Sequence, residues 1–365
     1  MLPTGIIAFI LLLTIVFTAL PTVRRQAYNF FYYTHILIAP LIIIGASFHA
    51  SLDFYFLLPG LLLWTIDLGW RFFGGESELS KTVSATISSA GGGWYRIALP
   101  LPASASPARD GDEEKVTPAH PLQTYYINIP LISRAQSHAF TAAKVAADGS
   151  GATLLFQKVS QATVKRSASA QAREWTWQLT RLLDEHKSFG KPLELDVRLE
   201  GPYSPVTNSF ETANHVICIV GGTGLTGAYS LARWWYANRG HESNGSFTLV
   251  WTARQAEALQ LEEWVELQGL CAVSGNMRLV GHCSSQGGRL DVTRVLEETL
   301  AKKDLRNEKS GGHAWVYASG PNGLLTTTAD ACIDMEAKLR RARKSGGQSG
   351  LKVASLSHDT ADWEV

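Results

Sequence analysis

Cysteine is scarce. Four occur in 365 residues (Cys218, Cys271, Cys283 and Cys332), none in a C-x-x-C pair and none at metal-ligand spacing. That argues against a disulfide framework or a cysteine-held metal, and Cys218, inside the apolar run VICIV, reads as a small core residue in a reduced compartment. An excess of either charge is also lacking: the formal net charge is +1 and charged residues make up 18%, so no nucleic-acid partner is implied. No repeat of solenoid length is visible. The first apolar run has no basic residue before it and no A-x-A site after it, which argues against a cleaved signal peptide.

What is present divides sharply along the chain. Residues 1–75 carry very few charges and contain three apolar spans, 5–20, 30–50 and 56–73. Against the ~17–25 residues a bilayer requires, the first is short and the other two suffice, so membrane helices are expected. Arg24, Arg25 and Arg71 would face the cytoplasm. The second span then runs outward, the third returns, and the remainder of the chain is cytosolic. A tight outer loop, ASLDFYF (50–56), is expected between them.

From about residue 80 the pattern changes to short β-like runs, KTVSATISSAGGGWYRIALP and TYYINIP. Residues 101–120 read as a flexible insertion, and a second polar interruption lies near 160–173. Short strands bounded by turn signals up to about residue 200 predict a small antiparallel barrel. Beyond LEGPYSPV the order becomes strand (HVICIVGG, 215–222), glycine-rich turn, helix (AYSLARWWYANR) and strand (GSFTLVWTAR, 245–254). That is a βαβ unit of a parallel sheet.

Three stretches carry chemistry. His35 and His49 are fourteen residues apart, ~21 Å along a helix and on nearly one face. They either hydrogen-bond neighbouring helices or act as axial haem ligands, one near each leaflet. Pro40 and Gly45 between them would bend the helix slightly. In YYINIPLISRAQSHAFTAAK, His138, Phe140 and Thr141 crowd a turn at a strand; they are an ordinary strand end, or they offer an imidazole, a flat surface and a hydroxyl to an aromatic ring. In GGTGLTG, Gly222, Gly224 and Gly227 form G-x-G-x-x-G between a strand and a helix, with Thr223 and Thr226 inside the loop. Backbone amides there can approach a phosphate. The following strand ends in Arg254 rather than an acid, which suits the 2′-phosphate of NADPH.

The string NIPLISRAQSHAFT resembles the HPFT flavin motif of the ferric reductase and NADPH oxidase superfamily, nearest to fungal ferric-chelate reductases. The YNFFYYTHILIAP helix, LEGPYS, the dinucleotide loop, GRLDV and ASGPNGL follow in that family's order. The resemblance implies a multi-domain, ferredoxin-reductase-like architecture. Residues 1–75 would be transmembrane helices of a partial haem domain, 78–203 an antiparallel β-barrel binding FAD, and 204–365 a Rossmann-like α/β domain binding NADPH. It places Phe140 and Thr141 against the isoalloxazine, with His138 matching the motif histidine and Ala139 in place of its proline. It assigns Trp175 and Thr176 in EWTWQL to a second flavin element, and Lys158 to a basic strand position. It also puts Ser319, Gly320 and Pro321 at the nicotinamide, with Ser319 where cysteine is usual. LEGPYS becomes a hinge between lobes, and Trp363 either a terminal aromatic covering the flavin or an aromatic in the tail. Family haems of b type each sit between two helices, so one histidine-bearing helix implies incomplete ligation and further N-terminal helices.

The activity so implied is NADPH-dependent reduction of extracellular Fe(III) or Cu(II), free or chelated, through FAD and haem. The protein would be integral to the membrane, at the plasma membrane, with lipid around its helices and a metal permease or second reductase chain as partner. A superoxide-generating oxidase, and a membrane-anchored flavoprotein or non-catalytic partner, are the alternatives.

Overall fold

A computed structural model describes residues 2–26, 28–49, 51–73, 80–101, 120–134, 136–146, 149–158, 175–186, 192–205, 208–301, 312–344, 351 and 353–361. The chain divides into two compact units, with Leu79 opening the second.

The first unit is helical: α1 (Leu2–Ala19), α2 (Pro21–Gln26), α3 (Tyr28–His49) and α4 (Ser51–Phe73). Its apolar sequence leaves few polar side chains to satisfy, and Thr14, Thr18 and Thr65 donate their hydroxyls to carbonyls four residues back. Such back-bonding is the usual way a threonine hydroxyl inside a helix is satisfied. Among the described residues, no helix is long and apolar enough to cross a membrane. Helices therefore stand where membrane spans were expected. The expected outer loop is corrected: all but its first residue begins α4, because nothing in SLDFYF breaks a helix. Pro40 and Pro59 both lie inside helices.

The second unit opens with a closed six-stranded barrel in the order β1-β2-β5-β4-β3-β6. Its strands are β1 (Ser80–Gly91), β2 (Trp94–Pro100), β3 (Thr124–Asn128), β4 (His138–Val145), β5 (Gly151–Gln157) and β6 (Leu193–Tyr203). Gly91, Gly92 and Gly93 all take positive φ, a conformation that side chains resist, and so turn β1 into β2. Ile87, Ile97, Ile127, Leu154 and Val197 fill the interior without exposure. Helix α5 (Trp175–His186) adds Trp175, Leu179 and Leu183 to this core; its burial at i, i+4 and i+8 makes one apolar stripe. Residues 102–119 and 159–174, which hold all but the two ends of the first expected insertion and the whole of the second, lie outside the described residues. LEGPY, expected at the hinge between lobes, closes β6, where Leu199 and Glu200 pair with both β1 and β3.

The remainder is a parallel five-stranded sheet, ordered β11-β10-β7-β8-β9. Its parts are α6 (Ser209–Thr212), β7 (His215–Gly221), α7 (Leu225–Arg239), β8 (Ser246–Ala253), α8 (Glu262–Val273), β9 (Met277–Cys283), α9 (Ser284–Gly287), α10 (Val292–Leu300), β10 (Gly312–Ser319), α11 (Asn322–Lys344) and β11 (Val353–Ala361). β7 is apolar at successive positions because both faces are covered. Val216, Cys218 and Val220 join the core that contains Leu231 and Trp235 of α7 and Trp264 of α8. Ile217 and Ile219 join Leu296 of α10 and Met335 of α11 on the other face. Cys218 is fully buried, as its apolar neighbours implied.

Barrel and sheet meet directly. Arg96 of β2 donates to both carboxylate oxygens of Glu263 on α8, at 2.6 and 3.0 Å, and reaches Glu262 at 3.0 Å. The Leu122 amide donates to the Ser230 hydroxyl of α7 at 3.1 Å.

Candidate functional site

β7 and β10 are parallel neighbours with Val220 opposite Ser319, so the two glycine-bearing loops that follow them emerge side by side. A β-carbon on Gly221 would lie 2.9 Å from the Pro321 ring, and one on Gly320 would lie 2.8 Å from the Gly221 backbone. One on Gly224 would meet the Ser319 carbonyl oxygen at 2.4 Å. Gly222, at φ +53, opens a short 3₁₀ turn to Gly224, and α7 begins at Leu225 with no side-chain cap. Uncapped amides at a helix start attract an anion. Thr223 is exposed in the middle of this turn, whereas Thr226 is buried and donates back to the Thr223 carbonyl at 3.0 Å. Gly227 has a separate reason to lack a side chain, since a β-carbon would sit 2.4 Å from the Tyr317 hydroxyl. That is helix-to-strand contact, the role the third glycine has in such loops.

Ser319 is buried, and its side chain hydrogen-bonds the Tyr317 hydroxyl, whose pKa burial drives upward. Arg254 stands exposed just after β8. Its backbone carbonyl accepts from the Ser285 amide at 3.3 Å and from Cys283 Sγ at 3.5 Å, which ties the end of β8 to the β9–α9 turn.

On the barrel, His138, Phe140 and Trp175 converge. The His138 and Trp175 rings are 4.7 Å apart, and Phe140 and Trp175 are 5.8 Å apart. His138 Nε2 and Trp175 Nε1 are both buried without a hydrogen-bond partner. Orphaned buried polar atoms are costly, so two in one cluster fit a ligand that would satisfy them. Burial holds the His138 imidazole down at about 4, so it is neutral at neutral pH. Thr141 is buried on β4 opposite Thr124. Trp175 begins α5 and Thr176 follows it. Lys158, just beyond β5, lies 3.8 Å from Asp184 on that helix. The barrel strand end also reaches the dinucleotide loop: a β-carbon on Gly222 would lie 4.0 Å from Gln157 Oε1.

The described residues thus fall into two groups, the flavin-motif residues on the barrel and the glycine loops with Arg254 on the sheet. Trp363 and the His49 side chain lie outside the described residues. His35, on α3, has a buried Nδ1 with no partner and a ring contact to Phe31 at 5.2 Å. One open imidazole nitrogen there fits an axial ligand.

Sequence reasoning missed Asn128, whose amide nitrogen donates to the Ser133 and Gln136 carbonyls at 2.8 and 2.6 Å and fastens the loop leading into His138. It stands in the N-x-P string, where it could have been singled out. It missed Trp251 too, which carried no local signal beyond its place in VWTAR.

Residues 1–46 match the family model described as ferric reductase like transmembrane component. The chain is similar to ferric reduction oxidase 8, mitochondrial, of Arabidopsis thaliana, 27% identical over 70% of this chain and 32% of the relative. It is also similar to ferric/cupric reductase transmembrane component 1 of Candida albicans, 24% identical over 67% of this chain and 28% of the relative. Among solved structures, a ferredoxin NADP+ reductase from Neisseria gonorrhoeae covers 78% of this chain and 99% of its own at 9% identity and a TM-score of 0.48. The relatives so matched are named as a ferric reduction oxidase and a ferric/cupric reductase transmembrane component. The chain is similar to these ferric reductase components, and it spans 32% and 28% of the lengths of these two curated relatives.

Proposed function

We propose that the chain is the electron-input part of a membrane ferric-chelate reductase that also accepts cupric ions and draws on cytosolic NADPH. The observation that carries this reading is the meeting of the two glycine loops, backbone against backbone, beside the end of barrel strand β5. A nucleotide phosphate site and a flavin-type barrel then share one edge. When bound, FAD supplies the conversion of a hydride's electron pair into single electrons, and b-type haem supplies their relay across the bilayer.

The chain's own residues do the holding. The amides around Gly222, Thr223, Gly224, Thr226 and Gly227 bind the pyrophosphate, and Arg254 binds the 2′-phosphate. Ser319, Gly320 and Pro321 orient the nicotinamide, and Trp363 covers the flavin from the C-terminus. His138 and Trp175 offer their open nitrogens to FAD, Phe140 and Thr141 lie along its ring, and Lys158 and Thr176 take its polar groups. His35 and His49 hold haem iron from α3. On this reading residues 1–75 lie in the plasma membrane among lipid, 78–203 form the flavin lobe and 204–365 the nucleotide lobe, both cytosolic. A metal permease or a second reductase chain is the proposed partner.

The test uses membranes carrying the chain, supplied with NADPH and an Fe(III) chelate. Fe(II) should form at a rate that superoxide dismutase leaves unchanged. Formation abolished by dismutase would point to the oxygen-reducing alternative. NADPH consumption without Fe(II) would point to a flavoprotein that passes electrons elsewhere.

A further inference from the structure

Trp251 lies in the middle of the second unit with no exposure, yet its indole is not merely core. Its Nε1–H donates to the Gly222 carbonyl at 3.0 Å. That same carbonyl also accepts from the Leu225 amide at the helix start, so both its lone pairs are engaged. In a trans peptide the carbonyl and the next amide point in opposite directions. Holding the Gly222 carbonyl down toward β8 therefore turns the Thr223 amide outward, on the side where Thr223 is exposed.

The ring of Trp251 is gripped from both sides. Trp94 of barrel strand β2 meets it edge-on at 6.0 Å, and Trp264 of α8 meets it at 5.1 Å. Arg96, two residues beyond Trp94 and so on the same strand face, is clamped to Glu263, the neighbour of Trp264. The barrel and α8 thus close around the side chain that bonds the loop.

We propose that Trp251 is a positioning residue for nucleotide binding: its indole N–H aims the loop amides, and its ring carries the barrel–sheet contact to that bond. The inference rests on the reading that this loop binds the phosphates of NADPH.

The experiment measures NADP+ affinity calorimetrically on the full chain in detergent, with flavin content and NADPH kinetics alongside. Trp251→Phe keeps an aromatic ring and removes the N–H. Losing one neutral hydrogen bond should weaken NADP+ roughly five- to tenfold, raise KM for NADPH in proportion, and leave kcat and flavin content within about twofold. Trp264→Phe disturbs the same stack without a bond to the loop and should weaken NADP+ no more than Arg96→Gln does, roughly two- to threefold. Arg96→Gln loosens the clamp alone and should weaken NADP+ roughly two- to threefold, with little further loss when combined with Trp251→Phe. Unchanged affinity in Trp251→Phe, or an equal loss in Trp264→Phe, would overturn the proposal. Should Trp251→Phe not fold, unchanged affinity in Arg96→Gln would overturn it. Failure of the unsubstituted chain to bind NADP+ would remove the loop reading and this inference together. Tight binding that is indifferent to these substitutions would remove this inference alone.

Discussion

Gly224 and Ser319 touch through their backbones: a β-carbon on the glycine would stand 2.4 Å from the serine's carbonyl oxygen and 2.7 Å from its carbonyl carbon. The spacing G-x-G-x-x-G is usually explained by the ligand, with the second glycine clearing a path to the pyrophosphate. Here the same glycine is required by the protein itself, because β7 and β10 are neighbours and their loops share the space above them.

Gly224→Ala should therefore destabilise the fold as well as weaken nucleotide binding. Forcing a methyl into an occupied space costs about 1–3 kcal/mol. Thermal unfolding and the flavin absorbance retained after gel filtration should both fall. Loss of NADPH binding at unchanged stability would show that the Ser319 contact yields readily.

Gly227 faces a different obstacle, the Tyr317 hydroxyl at 2.4 Å from its ideal β-carbon. Gly227→Ala should cost about 1–3 kcal/mol for the same reason, and Tyr317→Phe should restore at least half of it by removing the oxygen. Urea unfolding of the two single variants and the double variant measures the coupling. Strict additivity would contradict the assigned clash.

His138 makes stability depend on pH. Its imidazole is held at about 4 in the fold by burial, against ~6.5 when exposed. The neutral ring is favoured by the fold, so its stability is whole above pH ~6.5 and falls as pH drops through about 4. The loss is on the order of 3 kcal/mol across that window. Urea midpoints measured between pH 4 and 7 should slope more in the unsubstituted protein than in His138→Phe, which preserves a ring against Trp175. Parallel slopes would contradict it.

Arg254 should set the cofactor preference. A charge-assisted hydrogen bond is worth ~1.5–3 kcal/mol, so NADPH should be used roughly ten- to a hundredfold better than NADH. Arg254→Ala should erode that preference and leave NADH turnover nearly unchanged. Equal use of both nucleotides by the unsubstituted protein would remove the arginine from this role.

Much of the architecture was legible because its signals are local. HVICIV reads as a buried strand, and the short strands bounded by turn signals up to about residue 200 read as a barrel. The order of flavin motif, dinucleotide loop and SGP turn could be followed along the chain. What could not be read is non-local. The contact between Gly224 and Ser319 follows from β10 lying beside β7, across nearly a hundred residues of sequence. The bond from Trp251 to Gly222 and the pairing of Arg96 with Glu263 likewise come from packing. LEGPYS reads as an inter-lobe connection through its resemblance to the family's EGPYG, and its pairing on both sides through Leu199 and Glu200 is a barrel feature that the resemblance did not give. ASLDFYF looked like a loop because it separates two apolar runs, while its residues from Ser51 onward open a helix.

The most direct measurement is an anaerobic mixing experiment on the full chain loaded with FAD. Adding NADPH should bleach the flavin's visible absorbance, with NADH markedly slower at the same concentration, and an Fe(III) chelate should then restore the colour as Fe(II) appears. A flavin that stays oxidised in the presence of NADPH, in protein shown to bind both, would contradict the proposed electron entry at the paired glycine loops.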